Sequence, residues 1–234
     1  MLGTGGIIPA PAGYWKAVQE VLRRYDILLI ADEVITAFGR LGAWYGSLAY
    51  DMKPDLITVA KGLTSGYVPM SAVLIGEKVA SALERAGALG PFSHGYTYSG
   101  HPLGAAAANA ALDIVEKEKL VDNAGSVGTR MLAELREALA GIPIVGEVRG
   151  QGLLMAVEFV RDAKKKLRFE PSLGVGARVS KECLAEGLIA RAMPHGDILG
   201  LAPPLVLTAA DASEIVRICR KAVLRVAGQL KDAA

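Results

Sequence analysis

Residues 27–40 read ILLIADEVITAFGR, and the unbroken apolar run at their start decides the fold. A continuous apolar run of this length is typical of a strand that is covered on both faces of a parallel sheet. The runs at residues 55–60 (DLITVA) and 71–75 (SAVLI) have the same character. The pattern therefore predicts an α/β fold with a mostly parallel sheet and helices on its faces.

Segments with apolar residues at helical spacing precede and follow these strands, and the pattern of apolar residues changes after residue 141. We expect two domains, an α/β domain over residues 1–120 and a small α+β domain over residues 121–234. The predicted helices cover residues 13–25, 77–86, 103–119, 121–139, 176–186 and 211–230. Further strands are predicted at residues 144–148, 152–160, 188–190 and 198–201.

Composition excludes several classes of protein. Hydrophobic residues make up 52% of the 234 residues, and the 26 basic and 24 acidic side chains nearly cancel. So little net charge favours a small-molecule ligand over nucleic acid or an anionic membrane. No apolar run approaches the roughly 20 residues of a membrane helix, and no signal peptide is recognisable, so the expected location is the cytoplasm. The mean hydropathy of +0.33 indicates either a surface covered by a partner or missing sequence.

Two residues that could carry chemistry stand where predicted strands end. Asp32 ends the first apolar run and Lys61 ends the second. Because ligands of open parallel sheets bind at the carboxyl ends of the strands, this carboxylate and this amine are expected at one rim. A lysine in an apolar site can form a Schiff base with an aldehyde, and a carboxylate can hold the ring nitrogen of pyridoxal phosphate protonated. A plain ion pair or two solvated loop residues would show the same spacing.

Other kinds of site fit the sequence less well. The acidic pair Asp32 and Glu33 after an apolar strand also resembles the Walker B strand of an ATPase, but the phosphate loop that such a site needs is absent from this sequence. The three histidines lack the spacing of metal ligands, so no metal site is expected. Cys183 and Cys219 lie far apart without a CxxC motif and are predicted to be buried free thiols.

Three longer motifs add a resemblance to these observations. They are LIADEVITAFGRLG at residues 29–42, PDLITVAKGL at residues 54–63 and HGYTYSGHP at residues 94–102. In this order and distance they resemble the class III pyridoxal-phosphate aminotransferases, the ω-aminotransferase group of fold type I. The resemblance implies the C-terminal part of the large cofactor-binding domain in residues 1–120, followed by the small C-terminal domain in residues 121–234.

The resemblance also implies roles for five residues. Lys61 would form the Schiff base with pyridoxal phosphate and move the substrate's α-proton, and Asp32 would bind the pyridine nitrogen. Val34 would pack on one face of the ring, and Thr97 would reach the cofactor phosphate of the partner subunit in a homodimer. Arg191 would take the substrate carboxylate. The expected reaction is transamination between an amine or ω-amino acid and an oxo acid, with pyruvate as a candidate acceptor.

The resemblance begins in the middle of the family's large domain. We therefore expect that the N-terminal half is missing, including the phosphate cup and the aromatic residue that stacks on the cofactor. An inactive fragment is accordingly the competing hypothesis from a different class. Within the family, an aminomutase or a decarboxylase would use the same Asp32 and Lys61.

Overall fold

The computed structural model describes residues 1–90 and 92–231. The chain forms two compact units, which we call the first unit (residues 11–121) and the second unit (residues 1–10 with 122–234). Residue 91 and residues 232–234, which fall within the two expected domains, lie outside the described residues. The first ten residues belong to the second unit, which no sequence pattern indicated. The division into domains at residue 120 stays a prediction for the whole protein.

The first unit contains a three-stranded sheet with helices. Its strands are β1 (Ile30–Asp32), β2 (Leu56–Val59) and β3 (Ala72–Ile75), in the order β1-β2-β3. Its helices are α1 (Tyr14–Arg24), α2 (Gly46–Ala49), α3 (Glu77–Arg85) and α4 (Pro102–Lys117), with short 3-10 helices at Lys61–Leu63 and Ala86–Leu89. The predicted elements of this unit are confirmed, although β1 begins three residues later than its apolar run.

The direction of the strands agrees with the sequence for one pair and differs for the other. β1 and β2 are parallel, with Asp32 opposite Thr58, as the two apolar runs predicted. β3 runs antiparallel to β2, and all four of its residues are exposed in this chain. Its apolar run had suggested a parallel strand covered on both faces, but apolar composition reports the expected covering of a strand and carries no information on its direction.

A small buried cluster joins the sheet of the first unit to its helices. It consists of Ala37, Phe38, Val59, Leu63 and Ala108. These residues come from the segment after β1, from β2, from the 3-10 helix that follows β2 and from α4. The segments that follow the first two strands are therefore held against one helix by apolar contact, and this contact positions the site described below.

The second unit is an antiparallel sheet with helices against it. Its strands, in the order β4-β5-β7-β6, are β4 (Val145–Gln151), β5 (Leu154–Phe159), β6 (Arg191–Ala192) and β7 (Ile198–Leu201). Its helices are α5 (Leu120–Leu139), α6 (Val175–Ala185) and α7 (Ala209–Lys231), with a 3-10 helix at Pro171–Leu173. The strand predicted at residues 188–190 begins instead at Arg191. Cys183 and Cys219 are buried and free in this core, which confirms that prediction.

A buried arginine ties the N-terminal segment to the second unit. Arg149 on β4 is 5% exposed, and its guanidinium donates to the carbonyl oxygens of Gly6 and Ile7 at 2.7–3.1 Å. The same guanidinium pairs with the carboxylates of Glu147 and Glu158. Gly6 has no room for a side chain, since a Cβ there would lie 2.7 Å from Ile198 Cδ1. A buried guanidinium is costly unless its N–H groups are paired, and Arg149 finds part of this pairing in the carbonyls of residues 6 and 7. These hydrogen bonds hold residues 1–10 in place.

Replacing Arg149 should therefore loosen the N-terminal segment. We expect Arg149→Met to lower the free energy of unfolding of the second unit by about 3 kcal/mol, because it leaves two carbonyls and two carboxylates without their donor. Cleavage by thermolysin on the amino side of Ile7 should accelerate. Arg149→Lys keeps the charge without the planar fork and should lie between the two, and equal proteolysis of all three chains would contradict this account.

Candidate functional site

The site lies in the first unit, at the carboxyl ends of β1 and β2. Asp32 is the last residue of β1 and lies opposite Thr58 on β2. Lys61 follows two residues after the end of β2. Because the two strands are parallel, both residues come to the same edge of the sheet. Both side chains are exposed in this chain, and they form no ion pair with one another. The structure therefore brings together the carboxylate and the amine that the sequence placed at one rim, while leaving each available to a ligand.

The Asp32 carboxylate is oriented through one of its two oxygens. Oδ1 accepts hydrogen bonds from the backbone N–H of Val34 at 3.1 Å and from the hydroxyl of Thr58 at 3.3 Å. Oδ2 accepts none from the described residues. A carboxylate held in this way keeps one oxygen for a cationic N–H donor. Sequence reasoning missed Thr58, which could have been found as the residue opposite Asp32 once the strands were aligned in parallel.

Glu33 entered the sequence analysis only as half of an acidic pair, and its structural role was missed. Its side chain is only 2% exposed, and its carboxylate accepts hydrogen bonds from Thr36 Oγ1 at 2.9 Å, Ser47 N at 2.7 Å and Gly46 N. Gly46 and Ser47 are the first residues of α2, whose free N–H groups attract a negative charge. Glu33 thereby closes the segment of residues 33–47 into a loop, which we call the Glu33 loop.

This burial decides against the ATPase interpretation of the acidic pair. In a Walker B strand, both carboxylates serve magnesium and water, whereas Glu33 is buried and its two oxygens are occupied by donors of its own loop. Asp32, the last residue of β1, is exposed, whereas Glu33, the residue that follows the strand, is buried. Among the described residues, no group of three or more His, Cys, Asp or Glu side chains is placed to hold a metal ion.

Lys61 begins a 3-10 helix in an unusual backbone conformation. Its φ of 40° lies in the left-handed region, which for a residue with a side chain stores strain of about 1–3 kcal/mol. Local hydrogen bonds retain it, since the carbonyls of Ala60 and Lys61 accept from Leu63 N and Thr64 N at 2.9 and 3.3 Å. Thr64 is 2% exposed and donates its hydroxyl to the carbonyl of Val68 at 2.6 Å. The amine has no hydrogen bond or ion pair with any described residue.

Val34, Thr97 and Arg191 are distributed more widely. Val34 is half-buried next to Asp32, whose carboxylate it contacts through its N–H. Thr97 is exposed in a turn in which Ser99 N donates to the carbonyl of Tyr96 at 2.9 Å. Arg191 is exposed on β6, an edge strand of the second unit, and its side chain has no polar partner among the described residues. The roles expected of these three residues stay predictions.

The turn that carries Thr97 is lined by exposed aromatic rings. Phe92, Tyr96 and Tyr98 are 66–80% exposed. His94 lies between two of them, with ring centroids 6.0 Å from Phe92 and 5.8 Å from Tyr96. The segment ends where His101 Nδ1 accepts from Leu103 N and caps α4. A ladder of exposed rings is an apolar surface of the kind that commonly meets another protein chain.

The residues at this edge fit pyridoxal phosphate, the cofactor that the resemblance implies. An uncommitted primary amine can bond to an aldehyde carbon, and the free oxygen of Asp32 can accept from a protonated ring nitrogen. The half-buried Val34 supplies an apolar contact beside that carboxylate. Amine, carboxylate and apolar side chain are the chemistry that a pyridine aldehyde requires.

Comparisons with known proteins show which family the chain resembles. Residues 1–223 match the sequence model of the family described as Aminotransferase class-III. An uncharacterized aminotransferase of Sinorhizobium fredii is 63% identical over 98% of this chain and 50% of its own length. A diaminobutyrate–2-oxoglutarate transaminase of Halomonas elongata is 52% identical over 98% of this chain and 49% of its own. The chain thus spans about half the length of the curated relatives that it matches.

Solved structures show the same likeness in three dimensions. A transaminase obtained by ancestral reconstruction superposes with a TM-score of 0.96 at 59% identity, over 97% of this chain and 50% of that chain. A transaminase from the marine bacterium Virgibacillus gives a TM-score of 0.93 at 38% identity, over 97% and 52%. These likenesses confirm the predicted fold class, a part of a fold type I transferase with mixed α/β structure.

The two adjacent carboxylates should respond differently to loss of charge. We expect Glu33→Gln to lower the free energy of unfolding of the first unit by about 2 kcal/mol, because its amide NH₂ would face N–H donors in a buried space. Asp32→Asn should change it by less than about 0.5 kcal/mol, since the exposed side chain keeps an acceptor oxygen. Urea unfolding followed by circular dichroism measures both, and equal losses would contradict the assignment of Glu33 to the interior.

Proposed function

Because the chain belongs to the class III aminotransferase family, we propose that its protein transfers an amino group from an amine or ω-amino acid to an oxo acid. Aminotransferases of this class depend on pyridoxal phosphate in general. The observation that carries the proposal is that the Lys61 amine and the Asp32 carboxylate lie at one edge of the sheet. The amine has no polar partner among the described residues, and only one oxygen of the carboxylate accepts hydrogen bonds from them. When bound, the cofactor would supply an aldehyde and a ring that accepts an electron pair from the substrate's α-carbon.

The residues of the site would divide this work. Lys61 would bond to the cofactor and, once displaced by the incoming amine, would hold and return the proton of the substrate's α-carbon. Asp32, oriented by Thr58 and the Val34 amide, would keep the ring nitrogen protonated. Val34 would pack on one face of the ring and exclude water from it. The same lysine would serve both half-reactions, so the overall reaction would proceed by a ping-pong course.

The relatives suggest the class of substrate. The Halomonas relative is named for diaminobutyrate and 2-oxoglutarate, and a relative in Pseudomonas aeruginosa, 42% identical, is named for putrescine and pyruvate. Both names describe a donor with a terminal amine and a small oxo-acid acceptor. We assign the same substrate class to this protein, with Arg191 as the residue that takes a substrate carboxylate. An aminomutase or decarboxylase activity remains the alternative within the family.

We also propose that the active protein is a homodimer with shared sites. The support is the exposed aromatic segment around Thr97, in which the rings of Phe92, Tyr96 and Tyr98 are 66–80% exposed in this chain. Thr97 would bind the cofactor phosphate of the partner subunit from this segment. No helix among the described residues is both long enough and apolar enough to cross a membrane. A cytoplasmic location stays a prediction from the sequence.

The role of Lys61 is tested by trapping. Reduction with borohydride in the presence of pyridoxal phosphate should label Lys61, as found by peptide mapping, and Lys61→Ala should remove that label. Lys53→Ala, which removes an exposed lysine of the same unit, is the matched control and should leave labelling of Lys61 unchanged. Label spread over surface lysines with no excess at Lys61 would favour the inactive fragment. Amino transfer from putrescine or diaminobutyrate to pyruvate or 2-oxoglutarate then tests the reaction itself.

The role of Asp32 is tested on the protonation of the ring. With ¹⁵N-labelled cofactor fixed at Lys61 by borohydride, the nitrogen resonance reports the pKa of the ring nitrogen. We expect Asp32→Asn to lower that pKa by about 1 to 3 pH units, because the neighbouring negative charge is lost. Thr58→Val, which removes only the orienting hydroxyl, should lower it by less. An unchanged titration in Asp32→Asn would remove Asp32 from the cofactor site.

A further inference from the structure

Gly62, the residue that follows Lys61, lies against the ring of Phe38. A Cβ added at Gly62 would lie 3.3 Å from Phe38 Cδ2, 3.4 Å from Phe38 Cβ and 3.7 Å from the carbonyl oxygen of Ala37. The shortest of these contacts is tight, so a methyl group at residue 62 would require the ring or the peptide to shift by a few tenths of an ångström. The φ of Gly62 is not in the left-handed region, so glycine matters here for space and not for backbone freedom.

Phe38 is itself held firmly. Its side chain is 5% exposed, and its N–H donates to the carbonyl of Trp44 at 2.6 Å. Its ring lies 6.0 Å from that of Tyr45, and its φ of 60°, like that of Lys61, is one of eight positive φ values at residues with side chains in the described part of the chain. Strained conformations persist where the surroundings determine them, and such positions cluster at functional sites. Here two of them, at residues 38 and 61, meet across Gly62.

The Glu33 loop supplies the support behind this contact. Its ends are joined by the Glu33 carboxylate, which binds the N–H groups at the start of α2. Gly46 admits no side chain, because a Cβ there would lie 2.8 Å from Thr36 Cβ and 3.1 Å from the Glu33 carboxylate. The Glu33 loop is therefore tightly closed, and Phe38, which lies near its middle, has little freedom to move away from Gly62.

We propose that Phe38, held by the closed Glu33 loop, is a positioning residue that fixes the backbone of Lys61 for bond formation with the cofactor aldehyde. The inference rests on the proposed function and adds to it a residue that touches neither cofactor nor substrate. The ring occupies the space into which the Lys61–Gly62 peptide would otherwise relax. The lysine is thus kept in its left-handed conformation before any ligand arrives, which lowers the ordering entropy of the reaction.

A double-mutant cycle on the full chain tests this contact. The readout is the rate at which pyridoxal phosphate and borohydride label Lys61, divided by the rate at Lys53 in the same sample. We expect Gly62→Ala to lower this ratio by about 10-fold or more, because the added methyl group displaces the peptide from Phe38. Phe38→Leu should lower it several-fold. The double variant should recover to within about 3-fold of the unmutated chain, since the smaller side chain makes room for the methyl group.

Two variants control for general effects of the substitutions. Gly228→Ala adds a methyl group on α7 where no atom lies within 4 Å, and Phe159→Leu removes ring atoms from the core of the second unit. Neither should change the labelling ratio. Where circular dichroism shows that Gly62→Ala has lost its structure, Phe38→Leu alone decides, because it must slow the labelling of Lys61 relative to Lys53 in a folded chain.

The outcomes separate the inference from the proposed function. A ratio unchanged in Gly62→Ala and Phe38→Leu, with Lys61 labelled in the unmutated chain, overturns the inference and leaves the function intact. A double variant at least as slow as Gly62→Ala overturns it as well, since a merely structural role predicts that the two losses add. Absence of label at Lys61 in the unmutated chain overturns the proposed function and the inference together.

Discussion

A buried carboxylate without donors would destabilise the first unit by several kcal/mol, and the structure around the site follows from how Glu33 avoids this. Its partners are the backbone N–H groups at the start of α2 and the hydroxyl of Thr36. The two N–H donors are reached only if the chain returns to the end of β1 after 13 and 14 residues. The Glu33 loop is therefore shaped by one desolvated charge, and its contact with the segment after β2 is a consequence of that shape.

The same constraint separates the tasks of two neighbouring residues of identical chemistry. Asp32 ends β1 with an exposed side chain and Glu33, the next residue, is buried, so one carboxylate serves the interior and the other is kept for a ligand. Without Glu33 to fix the first turn of the loop, Asp32 would lose the N–H of Val34, one of its two orienting donors. Scaffold and site are here adjacent along the chain and share hydrogen-bonding groups.

Much of this arrangement could be predicted from apolar patterns, and the failures have physical causes. Unbroken apolar runs located β1 and β2, and their parallel pairing brought Asp32 and Lys61 to one edge. The direction of β3 could not be predicted, because composition reports covering and not pairing. The contact of residues 1–10 with Arg149 was equally hidden, since it links positions about 140 residues apart through carbonyl groups that every sequence possesses.

The backbone conformation at the site was the least predictable feature from the sequence. A left-handed φ is ordinarily found at glycine. Here the left-handed residue is Lys61, and the glycine is the next residue, Gly62, whose φ is not left-handed. Under the proposed function, position 61 needs an amine, and a side chain at position 62 would press against the ring of Phe38. Conformational preference alone would exchange the two residues. The strain at Lys61 is thus the direct result of placing a reactive side chain where the surrounding loop dictates the path of the chain.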